Sequence, residues 1–385
     1  MKYPAYIASL SSVSALGSTA EEIWNNYKSP RSFITYNNPE AQPFFAAFLP
    51  AEVKEEIEKL RNENPHFKDL DESVLFSIYV SRKATKDAGW RRHDSIGINI
   101  GSSRGATGLF EKYHREYLET GKAAVLASPA TTLGNISSWV AQDLQSNGPE
   151  ISHSVTCSTG LHSVLNGIAW LQSGLSEKFL AGGSEASLTP FTLSQMKAMK
   201  IYASEEKEYP CEALKMDKTR NSMVLGEGAG VLCLKNSPAH SLAKISGIGY
   251  ATEPLKHPAS ISANADCLQK SMKMAIGNTP LERIDAVVMH APGTIKGDAA
   301  EVNAIRKIFG ENSTPALTSN KWKIGHTFGA SGILSMELAV LMLKHQEFIT
   351  VPFSEISKAP AKLDTILVNA VGFGGNAVSV LLSRS

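Results

Sequence analysis

Three side chains in this 385-residue sequence could share one piece of chemistry: Cys157, His290 and His326. Cys157 stands in Val155-Thr156-Cys157-Ser158-Thr159-Gly160-Leu161-His162, where a short β-like run meets a stretch with apolar residues at Leu161, Val164, Leu165 and Ile168. That spacing marks one face of a helix. It puts Cys157 in the first turn, where unpaired backbone N–H groups and the positive dipole end favour an anion. A thiol so placed is expected to ionise readily and to act as a nucleophile. His290 lies in Met289-His290-Ala291-Pro292-Gly293-Thr294, and His326 in Lys321-Trp322-Lys323-Ile324-Gly325-His326-Thr327-Phe328-Gly329-Ala330. Singly, a cysteine is most often an inert core residue. Together the three supply what carbon–carbon bond formation through a thioester needs. A thiolate accepts an acyl group, and two imidazoles donate hydrogen bonds to an oxygen gaining negative charge. Gly372-Phe373-Gly374-Gly375 adds a loop whose main chain can approach a second such oxygen.

The elements that must position these residues read as alternating strands and helices. In the first half, Tyr6 to Ser12 is a strand, and Ser18-Thr19-Ala20-Glu21-Glu22 opens a helix in capping-box fashion. Ala51 to Glu72 reads as a solvated amphipathic helix, and Ser73 to Gly89 as a longer one ending on glycine. Ser95 to Gly101 is a buried-type strand. The loop after it, Ser102-Ser103-Arg104-Gly105-Ala106-Thr107-Gly108, lacks both a P-loop ending and dinucleotide spacing, so it reads as a tight strand-to-helix turn. Trp139 to Leu144 is helical, Ser154 to Cys157 and Phe179 to Ala186 are strands, and Gly226 to Gly230 leads into a closing strand at Val231 to Leu234.

After a linker at Asn236 to Ser241, the second half repeats this outline more compactly. Ile284 to His290 is a buried strand ending in a loop, Gly325 to Leu343 is a turn into a helix, and Gly372 to Asn376 leads into Val378 to Leu382. The expected units are therefore residues 1–240, carrying the cysteine, and 241–385, carrying the two histidines. Strands alternating with helices imply βαβ units and parallel sheets. Duplication brings equivalent loop ends together, where α/β proteins bind ligands.

Composition narrows the class. Hydrophobic content of 43% and charged content of 19% are ordinary for a globular protein with a large core. A net charge of +1 gives no global pull toward nucleic acid or an anionic membrane. The four cysteines (157, 211, 233 and 267) form no CxxC pair and no metal-ligand spacing, which suggests reduced thiols in the cytoplasm. No run approaches the roughly 20 apolar residues of a membrane span, and Met1 to Gly17 lacks the dense apolar stretch of a signal peptide.

Read in order, these motifs resemble those of the β-ketoacyl-ACP synthases, the elongating condensing enzymes of the thiolase fold. The resemblance runs from Tyr6 to Leu382. It rests on Cys157 at its elbow, Gly182-Gly183-Ser184-Glu185-Ala186, Gly226-Glu227-Gly228-Ala229-Gly230, His290 with Gly297-Asp298, Lys321 with His326, and Gly372-Phe373-Gly374-Gly375. It implies a duplicated thiolase-like α/β fold of two βαβ-type halves, with mixed, mainly parallel sheets in αβαβα layers. It further implies that Cys157 takes an acyl chain from acyl carrier protein, with the N–H groups of Cys157 and Phe373 as oxyanion hole. His290 and His326 would promote decarboxylation of malonyl-ACP, Lys321 would support His326, and Phe373 would gate the site. Residues around Thr131 to Ile136 would line the acyl pocket.

The resemblance implies no metal or organic cofactor, since the phosphopantetheine belongs to the carrier protein. It implies a homodimer, with a heterodimer with a related subunit as the other arrangement. Some positions depart from the family pattern. His290 is followed by Ala291-Pro292-Gly293-Thr294, Asn376-Ala377 follows the last glycine motif, and Ser335 stands where glutamate is common, with Glu337 close by in sequence. The chain is also short between Tyr250 and Cys267. These departures point to a specialised polyene or polyketide system over housekeeping fatty acid synthesis. Competing readings are a thiolase, for which the last glycine loop lacks a second cysteine, a chain-length-factor-like partner subunit, for which Cys157 would be unusual, and a non-condensing decarboxylase or acyltransferase.

Overall fold

A computed structural model describes residues 4–385 except 39–42, 134, 255–260 and 312. The short stretch between Tyr250 and Cys267 therefore lies partly outside the described residues. Ten strands form one continuous sheet. In the first half these are β1 (Ala5–Val13), β2 (Ile96–Gly101), β3 (Glu150–Ile151), β4 (Lys178–Glu185) and β5 (Gly228–Lys235). In the second they are β6 (Ala243–Thr252), β7 (Ala286–Val288), β8 (Ala316–Thr318), β9 (Thr365–Gly372) and β10 (Asn376–Ser383). Across the sheet the order is β8-β7-β9-β10-β6-β1-β5-β4-β2-β3. Each half thus repeats one arrangement: first strand, fifth, fourth, second, third. The directions repeat as well. In each half the first–fifth and fifth–fourth pairs are antiparallel, and the fourth–second and second–third pairs are parallel. The halves join where Ala5 to Ile7 pairs antiparallel with Ala243 to Ile245.

The duplication expected from the sequence is therefore present down to strand direction. The expectation of mainly parallel pairing needs correction, since five of the nine pairs are antiparallel. The closing strand of each half runs antiparallel to its neighbour, through a tight hairpin in the second half and a long connection in the first, which a βαβ reading does not anticipate.

Strand alternation shows how the layers stack. On β5, Leu232 and Leu234 face one apolar cluster while Ala229, Val231 and Cys233 face another. On β9, Ile366, Val368 and Ala370 face the first cluster while Leu367 and Val371 face a third. The shared cluster is filled by two helices, α3 (Thr159–Ser173) and α6 (Ser331–His345). The outer clusters are covered by α1 (Glu72–Asp87) and α2 (Asn135–Leu144) on one side, and by α4 (Asp266–Ile276) and α5 (Ile295–Phe309) on the other. This is the αβαβα stack. Helix α6 is buried on every face from Ser331 to Leu343, as a helix apolar all round must be. It crosses α3 closely because glycines meet there: a Cβ on Gly332 would stand 2.8 Å from Leu161 Cγ.

Several boundaries differ from the sequence reading: the strand read over Ile284 to His290 is only Ala286–Val288, and the helix read from Trp139 begins at Asn135. The helix from Ala51 stops at Glu63, because the extended Asn64 precedes Pro65, and Asp71 then caps α1 by accepting from the Ser73 N–H at 2.9 Å. Ser154 to Cys157 is not a strand; only an isolated bridge links Val155 and Cys157, and the paired segment is the two-residue β3. Among the described residues, no helix is long and apolar enough to cross a membrane.

Candidate active site

Cys157 sits one residue ahead of Ser158, the N-cap of α3. The elbow that presents it is tied by short side-chain bonds. Thr159 Oγ1 accepts from the Val155 N–H at 2.8 Å and donates to Thr156 O at 2.6 Å, and Ser158 Oγ donates to Val155 O at 2.9 Å. These bonds hold Thr156 at φ 49°, a left-handed conformation that a β-branched residue adopts only at a cost. The same kind of strain recurs one residue after His290, at Ala291 (φ 24°), and two after His326, at Phe328 (φ 41°). The end of β9 packs onto the elbow. A Cβ on Gly372 would come within 1.8 Å of Thr156 Oγ1 and 3.0 Å of Cys157 N, and Thr156 Oγ1 donates to Phe373 O at 3.2 Å.

The easy ionisation expected of Cys157 is not found. Burial pushes its thiol up to about 12, with Glu185 adding to the rise and Lys321 and Arg104 opposing it. The thiol lies outside the helical turn and inside an apolar cluster with Leu193, Met196, Met223 and Phe328, so desolvation outweighs the dipole.

His290 follows β7, and its loop is held by two carboxylates one turn apart on α5. Glu301 accepts from the N–H groups of His290 at 3.0 Å and Ala291 at 2.9 Å, and Asp298 accepts from Gly293 N–H at 3.0 Å. Asp298 is itself paired with Lys218 at 2.8 Å in the interior. His326 is placed by a second, three-stranded sheet of residues 35–37, 44–47 and 225–226. Its N–H donates to Val224 O at 2.6 Å, and its carbonyl accepts from Gly226 N–H at 3.1 Å. Its Nδ1 is 2.8 Å from Ser331 Oγ, which fixes the ring; when Ser331 donates, Nε2 carries the proton. The two rings stand perpendicular, at 87°, with centroids 5.2 Å apart. Burial and the Lys321 cation push His326 down to about 3. Burial, then His326 and Lys321, push His290 well below the usual imidazole range. Both are neutral at physiological pH.

Cys157, His290, His326 and Phe373 line one cavity of about 530 Å³, together with Glu301 and an apolar wall that includes Met196, Met199, Ile201, Met223 and Phe328. Phe373 is 36% exposed on this wall. Lys321 does not line the cavity. It is buried behind it, with Nζ 2.9 Å from Asn320 Oδ1 and 3.4 Å from Ser335 Oγ, and burial lowers it to about 8. Glu337 does not replace the missing glutamate, because it turns away to accept from Ser12 Oγ at 2.6 Å. Nor do the described residues among Thr131 to Ile136 line the cavity; Ile136 packs in the outer core with α1.

Sequence reasoning missed Glu301 and Ser331, and quoted Glu185 only as part of a motif, without a role. Asp298 and Glu301 three residues apart on a helix that follows His290 would have pointed to the first. Glu185 joins two loops at the site, accepting from both Ser103 and Gly329 N–H groups, and burial raises it to about 7.

The Beta-ketoacyl synthase, N-terminal domain, family model matches residues 4–240, and its C-terminal domain counterpart matches residues 242–352. The chain belongs to the β-ketoacyl synthase family, the condensing enzymes of the acyltransferase class. The 3-oxoacyl-[acyl-carrier-protein] synthase 2 of Coxiella burnetii is 26% identical over 407 residues, covering 98% of both chains. A synthase 2 of Vibrio harveyi is 28% identical over 347 residues, covering 82% of both. Among solved structures, the ishigamide ketosynthase/chain length factor superposes with a TM-score of 0.88 at 20% identity, covering 100% of this chain and 99% of that one. A type II PKS ketosynthase, solved with its acyl-carrier protein and bound to the hexaketide, gives 0.85 at 19% identity, covering 100% of both chains. At these identities the structural likeness is one of fold.

Proposed function

We propose that the chain joins a Cys157-bound acyl group to malonyl-ACP by decarboxylative Claisen condensation, in a specialised polyene or polyketide system. The observation that carries this reading is the single cavity shared by Cys157 and two neutral, mutually perpendicular imidazoles. In the first half-reaction Cys157 Sγ attacks the thioester carbonyl of the acyl carrier protein. A new S–C bond forms, the carrier S–C bond breaks, and the thiol proton leaves with the carrier thiol by way of a neutral histidine. Breakage of the malonyl C–C bond then releases CO₂ and leaves an enolate, whose oxygen takes hydrogen bonds from His290 and His326. A neutral N–H donor stabilises that oxygen as charge develops. The enolate carbon attacks the Cys157 thioester, with the N–H groups of Cys157 and Phe373 receiving the second oxyanion, and Cys157 is released. Lys321 acts from behind as electrostatic support, and no step draws on a cofactor of the chain's own.

The specialised pathway is argued from Ala291-Pro292, Asn376-Ala377 and Ser335, where the chain departs from its family's pattern. A homodimer, or a pairing with a related subunit, is the working assembly we assign. Four free, buried cysteines fit a reducing cytoplasmic compartment. His290→Ala and His326→Ala should each lower CO₂ release from malonyl-ACP by about 100-fold or more while Cys157 still accepts an acyl group. Undiminished CO₂ release in both variants would remove the histidines from the chemistry.

A further inference from the structure

Helix α6 opens with Ser331, a hydroxyl that the condensation just described leaves without a task. Its Oγ stands 2.8 Å from His326 Nδ1 and 3.1 Å from Thr327 Oγ1. Thr327 caps the short turn Phe328–Ala330 that runs straight into α6, so two hydroxyls four residues apart stack on one side of it. All three groups are shut in: His326 is 3% exposed, Ser331 1% and Thr327 not at all. Among the described residues neither hydroxyl has another hydrogen-bond partner. One turn further on, Ser335 Oγ faces Lys321 Nζ at 3.4 Å. Helix α6 therefore meets both polar residues of the preceding segment with hydroxyls and not with carboxylates. A carboxylate at 331 would draw a proton to Nδ1, whereas a hydroxyl can also donate to it.

Two proton arrangements fit these distances. In one, His326 Nδ1–H donates to Ser331, Ser331 donates to Thr327, and the Thr327 proton finds no acceptor. In the other, Thr327 donates to Ser331 and Ser331 donates to a bare Nδ1, so every hydroxyl proton is used. A buried donor left unpaired is costly, which selects the second. Thr327 is not free to turn away. Its methyl packs on Gly226, where an added Cβ would stand 3.1 Å from Cγ2, and a β-branched side chain is stiff. The ring is flanked as well, by Phe328 with centroids 5.5 Å apart. With Nδ1 tied to α6, Nε2 is the nitrogen left for the cavity that His326 lines. The His290 ring, by contrast, has no hydrogen bond among the described residues; its loop is held through main-chain N–H groups.

We propose that Thr327 and Ser331 are positioning residues that lock His326 in the Nε2–H tautomer, so that an N–H is already turned to the cavity before substrate arrives. This rests on His326 serving the enolate, as in the reading above. The other tautomer would turn a lone pair toward the developing oxyanion and repel it. The lock works by hydrogen bonds alone, and no bond in it is made or broken during turnover.

The test pairs the tautomer with the rate. Protein carrying ¹⁵N-labelled histidine is read by two-bond ¹⁵N–¹H correlation at pH 7, with His326→Gln used to assign the His326 signals, and CO₂ release is measured with malonyl-ACP. The parent should show a single Nε2–H pattern for His326. Ser331→Ala should replace it with a mixture or with Nδ1–H, and should lower kcat for CO₂ release about tenfold with KM little changed. Ser331→Thr, which keeps the hydroxyl, should restore both. Thr327→Val removes only the proton that sets the direction; it should shift the tautomer in the same sense, and it serves if Ser331→Ala does not fold. An Nδ1–H pattern in the parent overturns the proposal. So does a tautomer that stays put in Ser331→Ala or Thr327→Val at parental melting temperature, even if the rate falls, since the serine is then merely structural. A tautomer that changes without any change in rate overturns it too. If His326→Gln itself releases CO₂ at the parental rate, the condensation reading fails for His326 and takes this proposal with it. If His326→Gln is impaired and the Ser331 and Thr327 variants are not, this proposal alone fails.

Discussion

At Cys157 the thiol keeps its proton up to about 12, while His290 and His326 beside it stay unprotonated. Nucleophilicity must then come from proton transfer during the step and not from a standing thiolate. The rate of Cys157 carbamidomethylation by iodoacetamide should climb about tenfold per pH unit from pH 7 to 9, following the thiolate fraction; a plateau near neutrality would show a stabilised thiolate instead. Lys321 adds a second pH dependence. Buried without a carboxylate at Ser335, it is lowered to about 8 and loses its charge as pH rises past that value. Ser335→Glu would raise it again, so the alkaline limb of the condensation profile should move up by about one unit. An unmoved limb would mean that Lys321 has no electrostatic part in catalysis. The identities of Cys157, His290, His326 and Phe373 were legible in the sequence because motif order survives at low identity. Their protonation was not, because it depends on how tightly distant segments bury them.

The elements meet at two points that set the geometry of the site. One is the contact between the end of β9 and the elbow before α3, where Gly372 leaves no room for a methyl group against Thr156. Gly372→Ala should cost about 1–3 kcal/mol in urea unfolding and should slow Cys157 acylation as the elbow shifts. Parental stability and acylation would mean that the two loops move independently. The other is the clamp on the His290 loop by Asp298 and Glu301, whose three-residue spacing on α5 was there to be read. Strand β3 was not legible, because two residues, Glu150 and Ile151, carry no periodicity. Ser331 was passed over because a serine opening an apolar helix makes sense as a turn residue, and its tie to His326 depends on how the ring is turned.

For the whole molecule, two sets of buried groups oppose each other as pH falls. Glu185, Glu301 and Glu337 are each raised to about 7, so the folded state binds more protons than the unfolded one between the ordinary carboxylate range and 7. Their contribution grows as pH drops to about 4.5 and then stops. His326, lowered to about 3, and His153, lowered to about 4, favour the folded state above pH 6.5 and lose that contribution progressively from 6.5 down to their folded values. Melting temperature should therefore change little between pH 6.5 and 4.5 and drop below 4.5; a steep fall already at pH 6 would show that the carboxylates are ionised in the fold. The duplicated plan was legible in the recurrence of strand, loop and glycine-turn strand. The antiparallel closing strand of each half was not, because strand direction depends on which neighbour the last strand finds. The central claim is that Cys157, in this cavity, carries an acyl group that is lengthened. It is tested most directly by intact-protein mass spectrometry with an acyl-ACP and then malonyl-ACP, using Cys157→Ala as control. The account predicts a mass increase that requires Cys157 and is discharged as a 3-oxoacyl product two carbons longer. Acylation that malonyl-ACP cannot discharge, or no acylation of the folded protein by any donor, would contradict it.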